Sequence, residues 1–394
     1  MDKNSPNLVR NVIEKLCSLA HRGATTENER IAAKYLGEFV EGIGGKTEEQ
    51  KFTTSVTYIY EIWWMIGLLI FGLCLIPYAK LAAFFIVTVA VVSTFLYLDW
   101  RSAWVMRFPP SKQSQNVIGK KAGQQVLPDP ENKIILMAHY DSAPVSLLYL
   151  PSMVEGFARS LKFNMVNLLI VEIIAMLNCL GIARTFCAWA AYIYILYFAV
   201  QAVVTGFDFF KKGYTNGAAD NATGVAVAIK TARRLWEKDI PAWDFELVLT
   251  GAEEVGMRGA KHYFKQNKDA LKKVNTHVLN FDNIGAGKIK IITRTGSLTP
   301  VIYDGPLAKT ALETAKAHKK YADITTGRWH TGDFDSLYFQ RAGISSLTLS
   351  AQDENGLIPN LHRETDIIEN LDFKTVELAA DFASDIVMKL VGTK

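Results

Sequence analysis

The sequence predicts an α/β fold, a sheet covered by helices, into which two apolar helical hairpins are inserted. Short apolar runs recur at Ile134–Met137, Phe245–Leu249, Val278–Phe281, Ile289–Ile292 and Ser346–Leu349. Helix-like stretches at Val225–Trp236, Arg258–Asn267, Pro306–Lys319 and Phe373–Leu390 lie between or beyond them, and such alternation marks a sheet layered with helices. The chain has 394 residues, 49% hydrophobic and 21% charged, with a mean hydropathy of +0.11. That value is high for a soluble enzyme and excludes a disordered or collagen-like chain. The surplus sits in four long apolar stretches.

Along the chain, Ser5 and Pro6 form a start signal for a first helix. Thr26 and Glu29 have the spacing of a capping box. They open a second helix whose apolar side carries Ile31, Tyr35, Leu36, Phe39 and Ile43, and which ends at Gly44-Gly45. Two uncharged stretches of 18 residues follow, Ile62–Ala79 and Leu81–Leu98. Eighteen helical residues span about 27 Å, close to the hydrocarbon thickness of a bilayer. A membrane hairpin turning at Pro77-Tyr78-Ala79-Lys80 is expected, with Trp63, Trp64, Tyr97, Trp100 and Trp104 at its opposite end as an aromatic belt. The second pair is Phe163–Ala183, interrupted by Glu172, and the 23 uncharged residues Thr185–Phe207. On a helix, Asn164, Asn167 and Asn178 share a face with Glu172 to one side, so Glu172 is expected to pack against neighbouring helices.

These stretches divide the chain into a domain in three parts, 1–55, 106–160 and 211–394, and two hairpins, 56–105 and 161–210. Each insertion crosses twice, so all three parts emerge on one side and can assemble together. Lys46, Lys51, Arg101, Arg107, Lys112, Arg159, Lys162, Lys211 and Lys212 lie on that side, and only Lys80 and Arg184 at the far turns. The positive-inside rule then places the domain and both termini in the cytoplasm of an integral membrane protein with four spans. No apolar leader core precedes the first hairpin, in keeping with that side. A net charge of +4 is too mild to point to nucleic acid. Cys17, Cys74, Cys179 and Cys187 show no paired spacing, so no disulfide framework is expected.

Chemistry-bearing residues cluster where strand-like runs end. His139 closes the first run with Asp141 two residues on, the pattern of a metal ligand and its orienting carboxylate. Asp220 is the one acid in the small-residue loop Gly217-Ala218-Ala219-Asp220-Asn221-Ala222-Thr223-Gly224, and a helix N-cap role is open to it. Glu253 and Glu254 follow the apolar run 247–249 directly, and two adjacent acids there need positive compensation unless they lie on a surface turn. Asp282 ends the next run and His362 lies near the C-terminus. Strand ends of an α/β sheet gather at the edge where such proteins bind ligands. Two histidines and three carboxylates suit two zinc-like ions about 3.5–4 Å apart with an open position for water.

The order His-x-Asp, Gly-Ala-x-Asp-Asn-x-x-Gly, Glu-Glu-x-Gly, Asp and a late His resembles the co-catalytic di-zinc aminopeptidase family, which includes aminopeptidase Y, plasma glutamate carboxypeptidase and the glutaminyl cyclases. The likeness covers the chain outside the hairpins. It implies a mixed, mainly parallel sheet between helices, the zinc-exopeptidase fold. It implies two zinc ions per chain, with Asp220 bridging, His139 and Asp282 completing one site and Glu254 and His362 the other. Glu253 takes the general-base place and Asp141 the orienting place behind His139. Where the family often shows Ser-Asp-His, this chain reads Gly332-Asp333-Phe334-Asp335-Ser336, and His330 or Asp333 is the expected compensation in the substrate pocket. His21, His262, His277 and His318 match no motif and are expected to be structural or solvated, while Arg328, Trp329 and Arg363 are open to substrate contact, packing or a surface ion pair.

The implied activity is removal of N-terminal residues from peptides. Single-zinc glutaminyl-cyclase chemistry and a non-catalytic receptor or transport role are the alternatives, and the intact ligand set and Glu253 argue against both. The second hairpin lies between Asp141 and Asp220, so the site is expected to face the membrane and to take membrane-proximal or hydrophobic peptides.

Overall fold

The computed structural model describes residues 7–123, 131–238 and 240–392. Ser5 and Pro6, the expected start of the first helix, lie outside them. The chain runs α1 Leu8–Cys17, α2 Glu27–Gly42, β1 Gly45–Ser55, α3 Tyr58–Cys74, α4 Lys80–Leu98, β2 Ser111–Lys121, β3 Asn132–His139, α5 Pro151–Cys179, α6 Arg184–Lys212, α7 Gly224–Trp236 and β4 Trp243–Thr250. It continues α8 Arg258–Lys273, β5 Asn275–Phe281, β6 Lys288–Thr295, β7 Val301–Ile302, α9 Pro306–Ala317, β8 Thr325–Arg328, α10 Leu337–Arg341, β9 Ser345–Gln352 and α11 Phe373–Gly392.

The sheet has the order β1-β2-β4-β3-β5-β9-β6-β7, with β8 paired to β6. Its centre, β4-β3-β5-β9, is parallel. The pairings β1–β2, β2–β4, β9–β6 and β6–β7 are antiparallel. The sheet is therefore mixed as expected, but parallel pairing is confined to the centre and to β6–β8 and is not predominant. Each strand of the parallel centre lies buried between helices on both faces, which is why these runs were legible as continuous apolar segments. Ile134, Leu136 and Ala138 of β3 join the core under α1, α2, α7, α9 and α11. Ile135 and Met137 alternate to the other face, under α8 and α10.

Helix α2 begins as the cap signal suggests, with Glu29 N–H donating to Thr26 Oγ1. Only half of the capping box forms. The Glu29 carboxylate accepts instead from Thr25 N–H, Ser114 Oγ and Ala252 N–H, because it is buried against the sheet.

Both apolar insertions leave the domain and return to it at one point. Ser55 and Ser111 are cross-strand partners and Val56 N–H donates to Pro110 O, so α3 and α4 stand where a turn would join β1 to β2. Val145 N–H bonds Gly213 O and Thr215 N–H bonds Ala143 O, closing the neck of α5 and α6 in the same way. Lys80–Leu98, Pro151–Cys179 and Arg184–Lys212 are long and apolar enough to cross a membrane. The expected span Ile62–Ala79 is instead the 17-residue helix Tyr58–Cys74, because the residues around Pro77 form the turn. Helices α5 and α6 extend past their apolar stretches on the domain side. Trp104 is exposed, but Trp63 stacks on Phe210 and Trp100 turns inward to Asp333, so only part of the aromatic cluster faces outward.

Candidate metal centre

Three strand ends and two loops converge on one edge of the sheet. His139 is the last residue of β3, Glu253 and Glu254 follow β4, and Asp282 follows β5. Asp220 lies in the turn before α7 and His362 in the loop after β9. Adjacent parallel strands place β3, β4 and β5 ends side by side, the usual ligand edge of such a sheet.

The two carboxylate oxygens of Asp220 point to different imidazoles. Oδ1 is 3.2 Å from His139 Nε2, and Oδ2 is 3.5 Å from His362 Nε2. Asp282 Oδ2 lies 3.6 Å from His139 Nε2, and Glu254 Oε2 lies 3.1 Å from His362 Nε2. Among the described residues, every group with metal-binding potential falls here: His139-Asp220-Asp282, Asp220-Glu254-His362, and His139 with Glu253 and Glu254. Asp220, like His139 and Glu254, belongs to two of these groups, and it alone turns one carboxylate oxygen to each of the two imidazoles.

The donor chemistry fits divalent zinc, for which imidazole and carboxylate are ordinary ligands. Glu254 Oε1 is buried without a hydrogen-bond partner, a costly state for a carboxylate oxygen that a cation relieves. The acids outnumber the imidazoles, and the resulting imbalance appears in their proton affinities. Burial drives the carboxyls of Glu253 and Glu254 far above their ordinary range; Glu254 adds to the effect at Glu253 and Asp220 does so at Glu254, while His139 opposes both. Burial also raises Asp282, with His139 opposing. At Asp220 burial is outweighed by His139 and His362, and the carboxyl lies below its usual range. His139 is held strongly protonated against burial by Asp282, Asp141 and Asp220.

Asp141 acts on two parts of the site. Its backbone carbonyl lies 3.2 Å from His139 Nδ1 and its carboxylate oxygen 3.6 Å, so the carbonyl rather than the expected carboxylate is the nearer partner of the imidazole. Its side chain accepts from Glu253 N–H at 2.9 Å and Glu254 N–H at 3.1 Å, anchoring the turn that carries both glutamates. The turn is flanked by Ala252 and Met257, both in the left-handed region with φ of 52°. His362 has φ of 53°, and Ser146 N–H donates to its carbonyl. Non-glycine residues hold such angles only where surrounding contacts enforce them.

Sequence reasoning missed three supports. Arg22 is fully buried and donates to the carbonyls of Leu16, Tyr140, Asn216 and Gly217, tying the end of β3 to the Asp220 loop. Asp366, pushed up to about 7 by burial and then by Asp220, accepts from the N–H groups of Ala219 and Asp220. Asn221 joins the Asp220 and Asp282 loops by donating to Phe281 O and accepting from Asn283 N–H. Each is an isolated polar residue outside any metal-type spacing, so pattern alone gave no signal, apart from the place of Asn221 beside Asp220.

The cavity over the centre draws its walls from both insertions. Tyr58, Ile62, Tyr97 and Trp100 come from the first, and Leu148, Tyr149, Phe157 and Leu161 from the segment that leads into and along α5. Tyr149 sits 4.4 Å from the His362 ring. Trp329, Phe334, Ile358 and Leu361 form an apolar cluster on the domain side.

Asp333 lines the cavity, but it is occupied by Trp100 Nε1–H and the Thr295 hydroxyl. His330 is exposed and does not line the cavity. Asp335, a second buried acid from this segment, accepts from the Thr250 hydroxyl and is pushed up to about 7 by burial, with His139 opposing. His21, His262, His277 and His318 contact the rings of Tyr214, Phe52, Trp243 and Tyr321; His277 is buried and His318 exposed to solvent.

Comparison with known proteins agrees with this geometry. Residues 202–387 match the model of Peptidase family M28, a stretch containing Asp220, Glu253, Glu254, Asp282 and His362. Aminopeptidase YwaD of Bacillus subtilis is 27% identical over 186 residues, 45% of this chain and 38% of that protein. The match therefore spans under half of the relative's length. A zinc aminopeptidase from Bacillus subtilis superposes with a TM-score of 0.57 at 14% identity, over 97% of this chain and 94% of that one. The glutaminyl cyclase of Porphyromonas gingivalis gives 0.57 at 14% identity over 98% of both chains. The likeness read from the motif order to the zinc-exopeptidase family is borne out, and the solved structures share the fold.

Proposed function

We propose that the protein is a membrane-anchored di-zinc exopeptidase of aminopeptidase type. The observation that carries this reading is Asp220 set between two imidazoles, with Glu253 and Glu254 on one turn beside them. His139, Asp220 and Asp282 would hold one zinc, and Asp220, Glu254 and His362 the other. Zinc bound there supplies Lewis acidity, lowering the pKa of the attacking water and polarising the scissile carbonyl.

Glu253 is the general base. Its carboxylate takes a proton from the attacking water and delivers it to the leaving amine. Asp141 keeps the Glu253–Glu254 turn and the His139 ring in register. The apolar cavity walls exclude water from the reacting bond.

The substrate is read as a peptide with an apolar end that approaches near the bilayer, because both insertions contribute cavity walls. In this reading α3 to α6 form four spans with the domain and termini cytoplasmic, following the basic residues on the domain side.

The reading is tested on detergent-solubilised full-length protein by metal analysis and a panel of free and N-acetylated peptides. Two zinc ions per chain and hydrolysis restricted to free N-termini are expected. One zinc per chain with cyclisation of N-terminal glutamine, or no turnover of any peptide by the zinc-loaded protein, would overturn it.

A further inference from the structure

The first hairpin meets the catalytic domain at the loop that bears both glutamates. Glu61, in the first turn of α3, is fully buried and 2.6 Å from Arg258 Nη2. Arg258 donates through Nε to Val255 O, directly within the 251–258 loop. Glu61 also accepts from Ser55 Oγ, so the pair is fixed to the end of β1.

The opposite end of the hairpin touches the same loop. Trp100 follows α4 and its ring lies against Gly256, where an added Cβ would come within 3.1 Å of it. Gly256 itself has φ of 99°, a conformation that L side chains rarely adopt. Trp100 is held by its Nε1–H to Asp333, and the neighbouring Asp99 pairs with Arg341 at 3.0 Å. On its other side the loop is held by Asp141 and by Glu29, which accepts from Ala252 N–H. The positive-φ residues Ala252 and Met257 stand near the two ends of this loop, the first within the domain-side contacts and the second within those of the hairpin.

We propose that the first hairpin is a positioning element for catalysis: Glu61 through Arg258, and Trp100 through Gly256, brace the 251–258 loop so that Glu253 and Glu254 point into the metal centre. Glu61, Trp100 and Arg258 are positioning residues and touch no reacting atom in this role. The reaction part rests on the peptidase reading; the brace itself does not. It gives the insertion a function beyond anchoring, since removing it would free one side of the catalytic loop.

The test uses the full chain in lipid nanodiscs at saturating zinc. Glu61→Gln, Glu61→Asp and Trp100→Leu are compared with the parent by kcat and KM for a short peptide, by zinc content, and by hydrogen–deuterium exchange. Glu61→Gln and Trp100→Leu are expected to lower kcat about 10- to 100-fold, as misplacement of a catalytic group does, with KM little changed in Glu61→Gln, which lies outside the cavity wall. Exchange at 251–258 should quicken while β3 and β5 keep parental rates, zinc content should hold, and Glu61→Asp should recover part of kcat. Parental kcat and parental exchange at 251–258 in both variants would overturn the proposal, as would faster exchange spread evenly through β3 and β5. Should Glu61→Gln fail to fold, Trp100→Leu decides from the other end of the hairpin. A parent without peptidase activity whose variants still loosen 251–258 alone would overturn the peptidase reading and uphold the brace.

Discussion

On β3, Ile134 to Ala138 are all fully buried, whereas on α6 Ile193, Leu196 and Val203 are 69%, 67% and 63% exposed. The insertions reverse the usual arrangement. Their outward faces are apolar, and their polar side chains meet inside: Thr88 donates to Glu172, Tyr194 to Asn167, and Asn178 to Ile76 O. In the sheet domain, the polar groups buried at the strand ends are instead acids in excess over imidazoles. The comparison teaches that an acid shielded from water has two physical meanings here. Half-buried Glu172 and buried Glu254 each keep one carboxylate oxygen without a partner, but Glu172's other oxygen accepts from the Thr88 hydroxyl on a neighbouring helix, whereas Glu254 stands beside two imidazoles and further acids.

Substitutions separate the two meanings. Asp220→Asn removes a ligand common to both donor sets; activity should fall by well over the roughly 10- to 100-fold typical of losing an outer partner, with zinc content reduced on metal analysis. Asp141→Asn, which keeps the shape but takes the charge from the carboxylate that holds the N–H groups of Glu253 and Glu254, should cost about 10- to 100-fold in zinc affinity or turnover.

Proton linkage gives a smaller effect. Glu29 is pushed up to about 8 by burial and then Asp141, and Asp335 and Asp366 to about 7 chiefly by burial. Their folded values exceed the unfolded ones near 4, so the folded state binds more protons between those limits and loses stability as pH rises through that window. Metal-free protein should therefore melt several degrees lower at pH 8 than at pH 5, and saturating zinc should shrink the difference. Glu172→Gln should change least, with turnover unaltered and stability shifted by no more than about 1 kcal/mol, the worth of one hydrogen bond.

The central strands, the apolar insertions and the cluster of two histidines and three carboxylates were legible because each rests on a pattern: continuous apolar runs, long uncharged stretches, or acids and histidines at strand ends. Strands β1 and β2 escaped notice, since Gly45–Ser55 and Ser111–Lys121 are polar edge-side strands held chiefly by their ladder. The contacts between the two regions were equally silent. Glu61 reads as the charged boundary of an apolar stretch and Arg258 as an ordinary helix residue; only the fold brings residues 197 positions apart into one buried pair. The substitute for the missing histidine was sought at His330 and Asp333; His330 is exposed, whereas Asp333 lines the cavity with its carboxylate held by Trp100 and Thr295.

The most direct test of the account is Glu253→Gln in the full-length protein, with zinc counted and hydrolysis of an N-terminal apolar peptide measured on the same sample. Two zinc ions per chain are expected to remain while kcat falls roughly 10²- to 10⁴-fold, the contribution of a positioned general base. Turnover at the parental rate by a folded, zinc-replete variant would contradict the assignment of Glu253 and with it the proposed mechanism.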